Sequence, residues 1–208
     1  MRTTREELIR AYRTRGWWSD TRITDLFDVA ARSVPSRLAG LDPPNRASLV
    51  GGAPRRLTFS DVSNLADGYA LRLRALGLGR DDIIVTQLPN IAEYPAIYLA
   101  AFRLGIIVSP VPMQFRRHEL EQIVDLTGAR ATLTVRALRR VDSAPAAAPP
   151  GAGRKLLALC LGDDAPAGSL PFTPAQVTPE SRAALQEHVA ALGVSADDVA
   201  TVCWTSGT

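Results

Sequence analysis

The sequence contains little lysine, cysteine or histidine, and each scarcity disfavours a kind of chemistry. Of its 24 basic residues only Lys155 is a lysine, so an ammonium group that binds phosphate or forms a Schiff base would have to be that one or lie outside the chain. Cys160 and Cys203 each lie within an apolar run, which favours buried thiols in a reducing compartment over a disulfide or a metal pair. His118 and His188 have no partners at metal-ligand spacing. We therefore expect no metal site built from side chains.

Long apolar runs are also absent. No segment has the roughly 18 uninterrupted apolar residues of a membrane-spanning helix, and residues 1–7 are charged where a secretory signal would become apolar. With 46% hydrophobic residues, 22% charged residues and a net charge of +3, the composition is typical of a soluble globular protein. These features predict a cytoplasmic protein of one large domain or two small ones.

Residues 1–59 are predicted to form short helices and a hairpin. The first helix covers residues 5–15 and ends at Gly16. The following pair, Trp17 and Trp18, is expected to seal an edge of the core, because large aromatic side chains serve more often as apolar anchors than as ligand contacts.

A second helix and the hairpin complete this region. Apolar residues recur at helical spacing from Thr24, a candidate N-cap, to Pro35, which stops the helix. Residues 47–50 and 56–59 flank a Gly-Gly-Ala-Pro sequence, and this pattern predicts a small hairpin.

Residues 60–162 show the alternation of a doubly wound α/β layer. The leading predicted strand is apolar on both faces, as in a parallel sheet covered by helices, and the intervening helical patterns end at glycines. The predicted strands are 83–88, 106–108, 131–135 and 155–161. The predicted helices begin at Ser60, near Tyr94 and at Arg117. Asn90 and Glu93 have the spacing of a capping box before the second of these helices. The order strand, helix, strand, helix, strand predicts a parallel sheet and the layered α/β class.

The nucleotide-binding motifs that often accompany such a layer are missing. No Gly-x-Gly-x-x-Gly follows the strand at 83–88, and no Gly-Lys-Ser/Thr sequence occurs, which disfavours a Rossmann dehydrogenase and a Walker-type ATPase. Residues 142–154 form a Pro/Ala/Gly-rich excursion to which we assign no function. Residues 163–208 are predicted to form a connection, with a loop over 163–179 and a helix over 179–192, that leads into a last strand.

The end of the chain carries the candidate site. Residues 199–204 form an apolar run that predicts a buried strand. Thr205, Ser206, Gly207 and Thr208 follow it at once. Small and hydroxyl-bearing residues in a turn let backbone N–H groups converge on an anion, and glycine tolerates backbone angles closed to other residues. These four residues are therefore a candidate phosphate site, although taken alone they fit an ordinary polar turn better, and the sequence before them must decide.

Several separated motifs resemble the opening of the AMP-forming adenylate synthetases, the superfamily of acyl-CoA synthetases, nonribosomal adenylation domains and luciferases. In that superfamily the sheet leads to a loop of the form Thr-Ser-Gly-Thr-Thr-Gly-x-Pro-Lys-Gly, whose first four residues are Thr205 to Thr208 here. The resemblance covers roughly residues 20–208. Its motifs are Leu57-Thr58-Phe59-Ser60-Asp61-Val62, Leu73-x-x-Leu76-Gly77-Leu78, Leu88-Pro89-Asn90, Ala101-Phe102-Arg103-Leu104-Gly105, Glu119-Leu120 and Trp204 before the loop.

The resemblance implies a two-step reaction. A carboxylate attacks the α-phosphate of Mg²⁺-bound ATP to give an acyl adenylate and pyrophosphate, and a thiol of CoA or of a carrier-protein pantetheine then takes the acyl group. It also implies that backbone N–H groups and the hydroxyls of Thr205, Ser206 and Thr208 hold the β- and γ-phosphates. ATP, Mg²⁺, CoA and a carboxylic acid are thus the expected cofactors and partners.

The resemblance also implies what these residues lack. The rest of the loop, the adenine and acyl pockets, the ribose-binding aspartate, the hinge and the C-terminal domain with its catalytic lysine have no counterpart here, and Lys155 matches none of them. We therefore expect an incomplete N-terminal domain that, as residues 1–208 alone, does not adenylate. No catalytic residue is assigned.

Three functions remain open from the residues. The leading one is an acid–CoA ligase; the others are an adenylase that loads a carrier protein or releases the adenylate, and a non-catalytic truncated product. Arg116, Arg117 and His118 suit a solvated helix start better than a site. The arginines at 136, 139 and 140 lack the interleaved aromatics of a nucleic-acid surface, so we expect no nucleic-acid partner.

Overall fold

The computed structural model describes residues 1–136 and 156–205, so the predicted excursion at 142–154 lies outside the described residues. The helices are α1 Glu6–Thr14, α2 Ile23–Ser33, α3 Arg46–Leu49, α4 Phe59–Ala75, α5 Tyr94–Arg103, α6 Arg117–Thr127 and α7 Pro179–Leu192. The strands are β1 Leu38–Leu41, β2 Arg56–Thr58, β3 Ile83–Gln87, β4 Ile107–Pro110, β5 Ala131–Val135, β6 Leu157–Leu161 and β7 Leu170–Phe172.

A parallel sheet with the strand order β4-β3-β5-β6-β7 organises the described residues. Every pairing in it is parallel; Ile84, for example, lies between Val108 of β4 and Ala131 of β5. The predicted layered α/β class with a parallel sheet is therefore confirmed. Since β3 pairs parallel with both β4 and β5, the carboxyl ends of these three strands lie at one edge of the sheet.

Apolar helices cover both faces of this sheet. On one face, Ile84 and Leu133 belong to the large core cluster that includes Tyr69 of α4 and Ile97 of α5. On the other face, Val85 packs in a smaller cluster that includes Leu120 of α6. Because β3 and β5 are buried on both sides, their sequences lack a regular alternation of exposed polar residues, and this is the pattern that predicted these strands.

The helix boundaries follow local capping signals closely. The bounds of α6 and α7 agree with the predicted ones, and Gly128 and Gly193 end these helices with φ of 62° and 60°. Helix α4 begins at Phe59, one residue before the predicted start at Ser60. Its cap is Thr58: the Thr58 hydroxyl accepts from the Asp61 N–H at 3.2 Å, and Asp61 accepts from the Thr58 N–H at 2.8 Å. Helix α5 begins at Tyr94, as predicted.

The predictions for the first 59 residues are partly wrong. Residues 46–49 form the single turn α3, and the partner of β2 is instead β1, which precedes it. Trp17 and Trp18 do not seal the core: they are 66% and 38% exposed and pack on Tyr12, with ring centroids 5.7 and 5.1 Å apart. Thr24 is not the cap of α2, because the helix already begins at Ile23.

Sequence reasoning also missed the strand β7, which lies inside the predicted loop at 163–179. Three residues that include a proline give no periodic signal. The strand forms because Phe172 is fully buried and stacks on Tyr69, with ring centroids 5.2 Å apart. Tertiary packing therefore decides its conformation.

A buried ionic cluster joins the small antiparallel sheet to the start of α5. Glu93 accepts two hydrogen bonds from Arg46, at 2.6 and 2.8 Å, and one from Arg55, at 2.8 Å. Asp42 accepts from Arg46 at 2.8 Å and from the N–H groups of Ala92 and Arg55 at 2.7 and 2.8 Å. The predicted capping role of Glu93 is therefore wrong, because its carboxylate is directed to the two guanidinium groups.

The charges in this cluster compensate one another. Burial alone would raise the pKa of Glu93, but the hydrogen bonds and positive charge of Arg46, together with the hydrogen bond from Arg55, outweigh burial and hold that pKa below its usual value. Burial likewise opposes ionisation of Asp42, and the N–H groups of Ala92 and Arg55 with the Arg46 guanidinium lower its pKa. Both carboxylates are therefore ionised at neutral pH.

Gly68 allows α4 to approach the chain at 174–175. A Cβ at this position would lie 2.7 Å from the Ala175 carbonyl oxygen and 2.8 Å from the Pro174 Cβ. Although alanine favours a helix over glycine by about 1 kcal/mol, we expect Gly68→Ala to lower the free energy of unfolding by about 1–3 kcal/mol because the backbone must separate. Urea unfolding measures the change.

The matched control for Gly68→Ala is Ser63→Ala in the same helix, where the side chain is partly exposed. We expect this control to change the free energy of unfolding by less than about 0.5 kcal/mol. A Gly68→Ala chain as stable as the parent would contradict the close approach.

Candidate functional site

One more extended segment, residues 199–205, lies parallel to β4, the outer strand of the described sheet, and leads to the carboxyl edge. The Val108 N–H donates to the Ala200 oxygen at 3.0 Å, and the Val202 N–H donates to the Val108 oxygen at 3.1 Å. These two bonds form a single parallel bridge between Val108 and Thr201. The predicted strand over 199–204 is therefore extended and parallel, as expected, but it is not a fully paired, buried strand.

Its side chains alternate between exposed and partly buried positions. Thr201, Cys203 and Thr205 are exposed, whereas Val202 and Trp204 are partly buried. The prediction that both cysteines are buried is right for Cys160 and wrong for Cys203. The physical reason is that β4 is an edge strand of the described sheet, so this segment has a sheet neighbour on one side within the described residues.

Trp204 anchors the segment immediately before the candidate phosphate loop. Its Nε1–H donates to the Ser109 hydroxyl of β4 at 2.8 Å, and its ring packs on the cluster that contains Val85 and Leu120. Ser109 is fully buried, so this hydrogen bond is made away from water. The anchor sets the position at which Thr205 leaves the edge of the sheet.

Polar groups of α5 line the opposite face of the same edge. The Tyr94 hydroxyl lies 3.0 Å from the Thr86 hydroxyl and accepts from the Tyr98 hydroxyl at 3.1 Å. Burial raises the pKa of Tyr98, and the hydrogen bond with Tyr94 raises it further. The Tyr98 phenol is therefore a neutral donor, and the hydrogen bonds of the two hydroxyls tie α5 to the end of β3.

Gln87 fixes the loop that follows β4. Its Nε2 group donates to the carbonyl oxygens of Pro112 and Phe115, both at 2.9 Å, and the side chain is fully buried. The Gln87 Oε1 atom is buried without a hydrogen-bond partner among residues 1–136 and 156–205. The amide thus holds the start of α6 against the carboxyl end of β3.

The four predicted phosphate-binding residues are only partly described. Thr205 is exposed at the carboxyl edge, where ligands of open parallel sheets bind, while Ser206, Gly207 and Thr208 lie outside the described residues. Arg117 and His118 contact side chains of their own helix, Glu121 at 2.7 Å and Gln122 at 3.1 Å. No group of three or more His, Cys, Asp or Glu side chains could hold a metal ion within the two described ranges.

Sequence reasoning missed Gln87 and Ser109 as organisers of this edge. Each is a polar residue inside an otherwise apolar strand, and this is the signal by which both could have been found. A buried polar side chain requires a partner, and their partners are the loop at 112–115 and the Trp204 indole. Neither partner is near in sequence.

We expect the bond between Trp204 and Ser109 to contribute measurably to stability. Trp204→Phe should lower the free energy of unfolding by about 1 kcal/mol, because the donor is lost and the buried Ser109 hydroxyl loses its partner. A double-mutant cycle with Ser109→Ala should return a coupling of about 0.5–1.5 kcal/mol. Trp18→Phe, at an exposed position, serves as the control, and a coupling near zero would show that the bond does not stabilise the segment.

The fold and this edge define a class of protein: a layered α/β protein that places Thr205, the first residue of a hydroxyl- and glycine-rich sequence, at the carboxyl edge of its parallel sheet. The family described as "AMP-binding enzyme" matches residues 38–208, and the chain belongs to this family.

Relatives of known name agree with this membership. The chain is 32% identical over 130 residues to 2-hydroxy-7-methoxy-5-methyl-1-naphthoate–CoA ligase of Streptomyces carzinostaticus, covering 62% of this chain and 21% of that protein. It is 30% identical over 171 residues to pseudomonine synthase PmsE of Pseudomonas entomophila, covering 76% of this chain and 25% of that protein. The chain thus spans about a fifth to a quarter of the length of these two relatives.

Solved structures share the fold. The apo structure of Mycobacterium smegmatis MbtA superposes with a TM-score of 0.69 at 23% identity, covering 99% of this chain and 35% of that one. Among the helices of the described residues, none is long and apolar enough to cross a membrane.

Proposed function

We propose that the protein carrying this chain is an ATP-dependent, AMP-forming carboxylic acid–CoA ligase. The single observation that carries the proposal is the position of Thr205: it follows the Trp204 anchor at the carboxyl edge of a parallel sheet, within a chain that belongs to the AMP-binding enzyme family. Ser206, Gly207 and Thr208 continue the same sequence. The four residues are proposed to bind the β- and γ-phosphates of ATP.

The proposed chemistry explains why a loop of this composition is useful. A carboxylate acylates thiols poorly until it is converted into a mixed anhydride with AMP, and this conversion releases pyrophosphate. Backbone N–H groups and the hydroxyls of Thr205, Ser206 and Thr208 would stabilise the negative charge that grows on the departing phosphates. Mg²⁺, bound with ATP, would neutralise part of the same charge.

The acceptor of the acyl group divides two candidate functions. CoA is favoured because the naphthoate–CoA ligase and the medium-chain fatty-acid–CoA ligase of Escherichia coli are both relatives, at 32% and 28% identity. A carrier protein is the second candidate, because a 32% identical relative in Mycobacterium tuberculosis is named salicyl-AMP ligase / salicyl-S-ArCP synthetase.

Pyrophosphate exchange tests the adenylation step. The full-length protein is incubated with ATP, Mg²⁺, labelled pyrophosphate and a panel of aryl and fatty acids, and acid-dependent label in ATP is the expected result. No exchange with any acid would contradict the proposal. CoA and a phosphopantetheinylated carrier protein are then offered separately: an acyl-CoA product supports the first candidate, and an acylated carrier supports the second.

Residues 1–208 alone provide the negative control. We propose that they do not catalyse the exchange, because the adenine and acyl pockets and the catalytic lysine that the resemblance implies have no counterpart in them. A truncated, non-catalytic product is therefore the third candidate, and exchange by the full-length protein would exclude it. We also propose that the protein acts in the cytoplasm, without a nucleic-acid partner.

A further inference from the structure

The N-terminal helix α1 contacts the turn that precedes the extended segment at 199–205, which leads to the candidate phosphate loop. Arg13 of α1 donates two hydrogen bonds to the Asp197 carboxylate, at 3.0 and 2.9 Å. Asp197 lies eight residues before Thr205, and its side chain is only 5% exposed. The pair therefore joins elements 184 positions apart in the sequence.

The turn at 195–198 connects Asp197 to the extended segment at 199–205 through its own hydrogen bonds. The Asp197 N–H donates to the Ser195 hydroxyl at 3.3 Å, and the Ser195 N–H donates to the Asp198 carboxylate at 2.9 Å. Asp198 is held in turn by two bonds from Arg80, at 3.2 and 3.0 Å. The turn is thus a hydrogen-bonded unit with guanidinium groups on two sides.

A pocket of about 160 Å³, partly open to solvent, lies under the turn, and its lining includes Phe102, Gly105, Val194, Ala196 and Val199. The polar attachments of the turn therefore act beside a pocket rather than over continuous apolar packing. Beyond the turn, the bridge of Val202 to Val108 and the Trp204 anchor complete the path to Thr205.

We propose that Arg13 is a positioning residue for the phosphate loop: through Asp197 it fixes the turn from which the loop-bearing segment leaves. This inference rests on the proposed function for its catalytic consequence, but the mechanical part concerns described contacts alone. Arg13 touches no substrate in this scheme. It acts by limiting the positions available to residues 199–205, since misplacement of a binding loop weakens its contacts with the transition state.

Hydrogen exchange of residues 1–208 tests the mechanical part. In Arg13→Ala, and in Asp197→Asn, which keeps the side-chain shape, we expect protection of the Val202 amide to fall about tenfold. The Val85 amide, inside the sheet, should keep its protection. Arg10→Ala is the matched control, because Arg10 lies on the same helix with a side chain that is 79% exposed.

Kinetics of the full-length protein test the consequence. We expect Arg13→Ala to lower kcat/KM for ATP in pyrophosphate exchange about tenfold, to leave the KM of the acid unchanged, and to be partly rescued in Arg13→Lys. Three results would overturn the inference. The protection of the Val202 amide could be unchanged, or the Val202 and Val85 amides could lose protection equally. The Val202 amide could also lose protection while kcat/KM for ATP stays at the parental value. Absence of exchange by the parent protein would overturn the proposed function instead, and the Val202 amide would still decide whether Arg13 holds the segment.

Discussion

Glu93→Ala is expected to lower the free energy of unfolding by about 3–5 kcal/mol, because it removes one of the two counter-ions of the buried Arg46 guanidinium. The side chains of Glu93 and Arg46 are only 6% and 11% exposed. Removal of the carboxylate breaks three hydrogen bonds. Asp42 then remains as the acidic partner of Arg46, and the Arg55 guanidinium loses its contact with Glu93. Urea unfolding of residues 1–208, followed by circular dichroism, measures the effect.

Glu121→Ala is the matched control for this experiment. Glu121 also accepts from an arginine, Arg117, at 2.7 Å, but that pair lies on the surface of α6, with side chains 38% and 59% exposed. Water and salt screen such pairs, so its loss should cost less than about 0.5 kcal/mol. If Glu93→Ala cannot be purified folded, Glu93→Gln preserves the shape and should still unfold at lower urea. Equal effects of Glu93→Ala and Glu121→Ala would show that the buried cluster contributes no more than a surface pair.

Loss of the loop hydroxyls is expected to reduce catalysis more than any other change at the candidate site. In the full-length protein, the triple variant Thr205→Ala, Ser206→Ala, Thr208→Ala should lower the rate of acid-dependent pyrophosphate exchange about 10²–10³-fold, the range found when donors to a developing anion are removed. The backbone N–H groups remain in this variant, so some activity should persist.

The control for the triple variant is Thr201→Ala. Thr201 is an exposed hydroxyl residue on the same extended segment, four residues before the loop. We expect this variant to catalyse pyrophosphate exchange at nearly the parental rate, because the Thr201 hydroxyl lies outside the proposed phosphate loop. A triple variant with parental activity would remove the assignment of the phosphate site, and equal losses in both variants would indicate damage to the segment rather than loss of phosphate contacts.

Local signals account for most of the helices and for the strands of the sheet. The doubly apolar runs at 83–88 and 131–135 specify buried strands wherever helices cover them, and the glycines at 128 and 193 end α6 and α7 through their left-handed backbone conformation. These features depend on neighbours within a few residues. They could therefore be read directly from the sequence.

Tertiary contacts decided the features that the sequence left open or for which it gave a wrong prediction. The partner of β2, the strand β7 and the exposure of Trp17 and Cys203 all depend on which surfaces meet after the chain has folded. Burial also changes what a residue does: Glu93 has the spacing of a capping residue but binds two arginines.

The candidate site shows the same division. The sequence by itself determined the hydroxyl- and glycine-rich composition at Thr205 to Thr208 and the parallel α/β layer before it, because residue type and apolar spacing are local properties. Only the tertiary structure brought Ser109 to Trp204 and Arg13 to Asp197. Such pairs join distant parts of the chain, and their bonds form only when packing has already brought those parts together.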